Sequence, residues 1–495
     1  MLFNSFSFLI FLPIVLIVFY ILPTRVRYIW LLLTSYYFYM CWNPKYVVLL
    51  LSSTLITYLC GLFIPRIKTV SRKKLLIAAG ITVNLLILGV FKYLDFAFEI
   101  VGDIASRAGF TAPENKLSLL LPVGISFYTF QAIGYIVDVY RGEIEPQKNF
   151  AKYALFVSFF PQLVAGPIER SGNLLKQIED IKNKKYFEPK NIEEGFIVAL
   201  FGYVLKMIIA DRAAVYVDTV YDPENFAMYT GIKALLAIVL FSVQIYCDFA
   251  GYTYIAIGSA KMLGIELREN FHMPYMAVSV KDFWDRWHIS LSTWFRDYLY
   301  FPLGGSRKGK IRKYINIFIV FLLSGLWHGA GYHFIVWGCI HGLFRVVGEL
   351  TEKIRFKLYE KAKIKTDVTS FRIGRRLITF LLVTIAWVFF RANSVNQAGL
   401  MIKNAFSVWN PWVLTDGSLM EMGVDALDWN VLIVFLAGLL VVDILREKSI
   451  DIKKWIMTQN VLFRWIVYYI IVIAIIIWGV YGQGYNANAF IYFQF

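Results

Sequence analysis

Apolar residues along this chain come in long runs, without the strict alternation of a half-buried strand. Runs of the length that crosses a bilayer, roughly 17 to 25 residues at 1.5 Å each, centre on 6–22, 28–42, 46–64, 75–97, 117–140, 195–211, 231–250, 314–331, 333–350, 376–391, 430–445 and 465–482. They predict an all-α, polytopic integral membrane protein with about 11–12 transmembrane helices. The stretch 151–168 is rich in Phe but broken by Pro161 and Pro167, and reads as re-entrant. The polar stretches 168–194 and 351–374 mix Lys with Glu; an amphipathic helix at the membrane surface and a solvated loop fit each equally well. Nothing charged precedes the run 6–22 and no small-residue cleavage site follows it, which predicts an uncleaved first span rather than a signal peptide. Without an internal repeat or linker, residues 1–495 read as a single transmembrane domain: N-terminal spans in 1–116, a central block over 117–350 and C-terminal spans in 351–495.

Composition agrees: 58% of residues are hydrophobic and 17% charged, against roughly 25% charged in soluble domains. The net charge of +16 would in a soluble protein raise nucleic-acid binding. Here the cations cluster in short loops between apolar runs and form no stripe interleaved with stacking aromatics, so nucleic acid is not an expected partner. The clusters instead orient the spans. Arg66 to Lys74, Arg307 to Lys313 and Lys353 to Arg376 fall on one face, expected to be cytoplasmic, while the segment 392–429, with Asp416, Glu421, Asp425 and Asp428, falls on the outer face. An even number of crossings then places both termini outside. Cys41, Cys60, Cys247 and Cys339 lie in apolar runs without CxxC spacing, which supports neither a disulfide framework nor a thiolate metal site.

Ionisable groups inside apolar spans are expensive, so each is a candidate for chemistry. The chain has five histidines, and His328, His333 and His341 all fall in the apolar block Leu322 to Gly342. Counting from Tyr314, His328 lies fourteen residues up its span, about 21 Å of rise, with Gly325, Gly329 and Gly331 around it to admit close neighbours. A neutral imidazole there can take a proton from a hydroxyl; a histidine hydrogen-bonded between helices fits the spacing as well. His288 lies where Trp284, Trp287, Leu291, Trp294 and Phe295 follow helical spacing, with Lys281, Asp282, Asp285, Arg286, Arg296 and Asp297 opposite. That pattern is an interfacial or re-entrant amphipathic helix, in which His288 is either functional or a tolerated member of an aromatic belt. The offsets among the membrane histidines do not match an HExxH-type pair, so no metal site is predicted. GxSxG and P-loop signatures are also absent from the sequence.

Several segments together resemble the membrane-bound O-acyltransferase family: LPVGISFYTFQAIGYIVDVYRG (121–142), FFPQLVAGPIER (159–170), the RWHISLSTWFRDYLYFPLGG block and SGLWHG. IAWVFFRANS (385–394) and the tail GVYGQGYNANAFIYFQF (479–495) resemble its alginate O-acetylation branch. The resemblance spans the chain and implies acyl transfer to a hydroxyl, with 117–350 as the catalytic core around a central tunnel. It further implies His328 as the catalytic histidine and His288 as its companion, while cofactor-binding residues stay unassigned. No tightly bound cofactor is implied; acetyl-CoA is the expected acyl donor. The acceptor is expected to be an extracytoplasmic polysaccharide hydroxyl, or a hydroxyl of an SGNH-type partner acetyltransferase outside a bacterial cell membrane. The chain departs from the branch pattern at Ala250 and Tyr254, where a serine and an acidic residue are usual, so a carboxylate role there is in doubt. D-alanyl transfer for teichoic-acid modification shares the two histidine motifs, and a non-enzymatic transporter would share the spans. His272, His333 and His341 read as structural.

Overall fold

A computed structural model describes residues 1–111, 119–183 and 187–481, and the tail motif beyond Tyr481 lies outside them. Among the described residues the protein is all-helical, with one isolated antiparallel bridge between Phe271 and Trp287. The chain packs as two compact units, one formed by 1–199 and 253–268, the other by 200–252 and 269–495.

In the first unit, α1 (Phe6–Ile21), α2 (Arg27–Met40), α3 (Val47–Phe63), α4 (Val70–Arg107) and α5 (Ile125–Arg141) fall on the first five expected spans. The Ser5 side chain caps α1 by accepting the Phe8 N–H. The Phe-rich stretch breaks as expected, into α6 (Phe150–Ser158) and α7 (Phe160–Leu163) about Phe159. Its irregular backbone is tolerated because it is buried in protein: Phe156, Phe159, Phe160 and Ala165 are inaccessible, and the Gln131 and Gln162 amides both donate to the Phe156 carbonyl. Beyond it, Leu174 and Leu175 in the turn Ser171–Leu175 and Ile178 of α8 (Lys176–Glu179) are buried, so this part of 168–194 takes the amphipathic rather than the solvated-loop form, the two having fitted the sequence equally well. α9 (Pro189–Tyr203) follows.

The second unit holds α10 (Asp211–Tyr221), most of α11 (Ile232–Met262), α12 (Val280–Arg286), α13 (Ile289–Phe295), α14 (Lys310–His328), α15 (Tyr332–Leu350) and α16 (Glu352–Lys361). It continues with α17 (Thr369–Arg391), α18 (Val395–Ser407), α19 (Ala426–Glu447), α20 (Ile452–Met457) and α21 (Val461–Trp478).

By length and apolarity six helical segments can cross a membrane among the described residues: 44–66 and the helices α4, α11, α17, α19 and α21; α15 with α16, bent by 50°, makes a seventh if counted as one span. The other expected crossings also fold as helices, but α1, α2 and α5 have only 16, 14 and 17 residues. At 1.5 Å per residue they reach roughly 21–26 Å, short of the ~30 Å hydrocarbon layer. α14 opens on Lys310, Arg312 and Lys313. Only 11% of the α21 span is buried, leaving Ile470, Ile473 and Ile477 facing outward. In water such a surface would cost roughly 25 cal/mol per Å²; in lipid it is at home. This is a multi-pass membrane protein.

Candidate active site

The α14–α15 hairpin builds the first half of the site. Its helices cross where Gly325 faces Gly338: a Cβ on Gly338 would lie 3.2 Å from the Gly325 Cα and collide with the Phe321 carbonyl oxygen. That approach exists only because both positions lack side chains. The sequence pattern ran this span on to 331, but α14 ends at His328, since residues 329 and 331 are extended before α15 begins. His328 therefore sits at a helix C-terminus, 4% exposed, at the opposite end of α14 from its three cations.

His288 comes from a different construction. The expectation of one amphipathic helix through Trp284, His288 and Phe295 is corrected: α12 ends at Arg286, Trp287 is extended, and His288 takes a left-handed conformation with φ 44° before α13 starts. The physical reason is a competing partner for the backbone. The His272 N–H donates to the Arg286 carbonyl at 2.9 Å and the Ile289 N–H to the Asn270 carbonyl at 3.0 Å, so the 270–272 segment takes hydrogen bonds that a continuous helix would have made internally. A left-handed residue other than glycine is uncommon and strained. Here it turns His288 inward, where it is 0% exposed. The belt of interfacial aromatics is likewise internal, with Trp284 and Trp287 both buried.

The two imidazoles, 40 residues apart in sequence, meet with ring centroids 6.3 Å apart. Phe249 of α11 stands edge-on to His288 at 4.8 Å. Trp327 and Trp337 lie 5.0 Å from His328, and Phe390 of α17 lies 5.2 Å from it. These rings bury both histidines away from water. His288 lies outside the membrane-spanning helices, and burial pushes its imidazole pKa down to about 3, so the ring is neutral at physiological pH.

The other histidines have local partners. His341 Nδ1 accepts from the Trp284 indole N–H at 3.2 Å, His333 Nδ1 lies 3.1 Å from the Phe389 carbonyl oxygen, and half-exposed His272 stands 3.6 Å from Glu269. Ala250 and Tyr254 are both buried. Among the described residues no three His, Cys, Asp or Glu side chains come together as metal ligands.

Three further elements were not visible in the sequence pattern. Lys206, in a π-helical turn at 204–210, bridges Asp211 and Asp248 at 2.7 Å each, all three buried; it holds α11 one residue before Phe249. Arg286 joins Asp282 and Glu447 at 2.8 and 2.7 Å, and Arg376 reaches Glu447 at 3.0 Å, fixing the end of α12. The third is a cavity of about 850 Å³ whose lining includes the cations Lys281, Arg296, Lys313, Arg345, Arg355 and Arg375 and the carboxylates Asp285, Glu349 and Glu352, an excess of positive charge. The lining also includes Ser324, one turn before His328 on α14, and Trp284. The Trp284 ring contacts Trp337, which in turn contacts His328.

The general sequence pattern of the membrane-bound O-acyltransferases (MBOAT) matches residues 145–395, which contain both histidines and the hairpin. The chain belongs to the membrane-bound O-acyltransferase family. It is therefore an O-acyltransferase, and the multi-pass helical fold is that family's setting. A probable alginate O-acetylase AlgI of Pseudomonas syringae pv. tomato is 40% identical, over 84% of this chain and 77% of its own. The peptidoglycan O-acetyltransferase of Helicobacter pylori is 37% identical over 76% of this acyltransferase and 73% of its own length. The teichoic acid D-alanyltransferase of Bacillus subtilis is 32% identical, but over 49% of this acyltransferase and 61% of its own chain.

Proposed function

We propose that this acyltransferase takes an acetyl group from acetyl-CoA on the cytoplasmic face of a bacterial plasma membrane and passes it to a hydroxyl on the outer side. The hydroxyl belongs to a polysaccharide or to an SGNH-type partner acetyltransferase. The observation that carries the reading is the buried His288–His328 pair near a cavity whose lining carries more cations than carboxylates. A coenzyme with several phosphates suits such a lining, because arginines bind phosphate bidentately. Two relatives that match most of the chain are named for O-acetyl transfer, one to alginate and one to peptidoglycan. D-alanyl transfer draws on a match to only 49% of the chain.

In the proposed reaction, His328 accepts the proton of the acceptor hydroxyl as its oxygen attacks the thioester carbonyl. The new C–O bond forms, the C–S bond breaks, and the proton passes from His328 to the departing thiolate. Carbonyl groups at the end of α14 favour the positive charge that builds on His328. His288, neutral, orients the hydroxyl through a hydrogen bond.

Two measurements test the parts of this reading. Reversing charge in the cavity lining, with Lys281→Glu and Arg345→Glu together, is expected to raise KM for acetyl-CoA about tenfold or more while kcat changes little, because a binding contact away from the reacting atoms is lost. An unchanged KM would remove the cavity from the donor's path. For sidedness, an impermeant thiol reagent on intact cells is expected to label Thr415→Cys in the acidic segment and spare Ser71→Cys in the basic one, both in a Cys41→Ser background, since Cys41 is itself exposed. The reverse pattern would turn the donor's direction around.

A further inference from the structure

The hydrogen bonding around His288 singles out a residue that no motif marked. Asn270, 1% exposed, places its side-chain oxygen 3.1 Å from His288 Nδ1, 3.1 Å from the Ser290 backbone nitrogen and 2.8 Å from Ser290 Oγ. A backbone N–H can only donate, so the atom facing Ser290 must be the amide oxygen and not its nitrogen. The same oxygen then accepts at His288, and Nδ1 must carry the proton. That leaves the lone pair of the imidazole on Nε2. The backbone contacts already described, from His272 N–H to Arg286 and from Ile289 N–H to the Asn270 carbonyl, hold the two segments in register. Side chain and main chain of Asn270 thus act on the same left-handed turn.

We infer that Asn270 is the positioning residue of His288: its amide oxygen fixes the ring orientation and the Nδ1–H tautomer, and so presents Nε2 as the acceptor of a hydrogen bond from the hydroxyl substrate. An amide does this without adding charge. A carboxylate at the same place would hold the proton on the imidazole more tightly and bias it toward the cation, which cannot accept. Among the described residues the His288 ring meets the titratable side chain of His328, from α14, and the rings of Phe249 of α11 and Trp327 of α14. The inference rests on the proposed role of His288, and the test separates the two.

The test is a double-mutant cycle in the purified full-length protein, read as kcat/KM for acetyl transfer and matched for extracted amount. Asn270→Ala is expected to lose about tenfold or more, the scale of removing a partner that orients a functional histidine. In a His288→Gln background the same change should lose less than about threefold, since the residue it acts through is already altered. Equal losses in both backgrounds would show that Asn270 supports the fold generally, and would overturn the inference. Asn270→Asp keeps the acceptor and supplies a second readout even if Asn270→Ala fails to fold. The carboxylate favours the imidazolium, which cannot accept, so the loss in Asn270→Asp should deepen as the pH is lowered, and should not do so in a His288→Gln background. The same pH dependence of the loss in both backgrounds would overturn the inference. Wild-type activity in His288→Gln would remove the role of His288 and this inference with it. Loss in His288→Gln alongside indifferent Asn270 variants would remove the inference only.

Discussion

Replacing His328 by Ala is expected to lower acetyl transfer by about 10²-fold to 10⁴-fold, the usual contribution of a positioned general base. That corresponds to roughly 3 to 5 kcal/mol of barrier. With His328 as the proposed base, the loss should fall on kcat, since His328 is not among the charged residues that line the cavity. The site also predicts that the variant remains folded. His328 is the last residue of α14, and beside it Trp337 packs on Phe390 and Trp387 of α17. Truncating the ring opens a cavity there, with a cost of about 2 to 4 kcal/mol by comparison with other large-to-small core changes. Extracted yield and thermal midpoint are therefore measured beside activity. Turnover within threefold of wild type at equal protein would end the assignment of His328.

The second large effect is on the scaffold. Gly338→Val is expected to destabilise the protein by about 3 kcal/mol or more, because a branched side chain must be placed where a Cβ alone meets the Phe321 carbonyl oxygen and Gly325. Relief requires α14 and α15 to separate, which carries His328 away from His288. Activity should fall together with the thermal midpoint. Gly374→Ala on α17 is the control: nothing lies within 4 Å of its added Cβ, so it should leave the midpoint unchanged or raise it slightly. A Gly338→Val protein with normal stability would mean that the close crossing does not hold the hairpin.

How much of this was legible in the sequence differs from element to element. Helices appear at the expected spans because apolar run length is a local property, readable without knowing the fold. The break at Phe159 was legible for the same reason, through Pro161. His328 stood out as an ionisable group in an apolar run, and the nearby glycines correctly pointed to a close approach, although the partner Gly338 was not identified. His288 was singled out in the wrong local structure. Its aromatic neighbours follow helical spacing, yet the chain breaks at Trp287 because hydrogen bonds from 270–272 compete with the helix. That competition is tertiary and leaves no periodic trace. Asn270 was invisible on the same ground: 18 residues from His288, in a loop, it looks like any turn-forming asparagine. Lys206, Asp211 and Asp248 could have been flagged as charges in or beside apolar runs, but only the fold shows them as one cluster.

In the proposed reaction a donor from the basic face acetylates a hydroxyl presented at the opposite face, with His328 as base. Proteoliposomes whose orientation is fixed by the Thr415→Cys label test it most directly, with labelled acetyl-CoA supplied at the basic face and a hydroxyl-bearing polysaccharide, together with the partner acetyltransferase where one is required, confined to the other side. The account predicts acetyl label on the confined polysaccharide with wild-type protein, and at least about 10²-fold less with His328→Ala. Label appearing only on an acceptor placed on the donor's own side, or equally with both proteins, would contradict it.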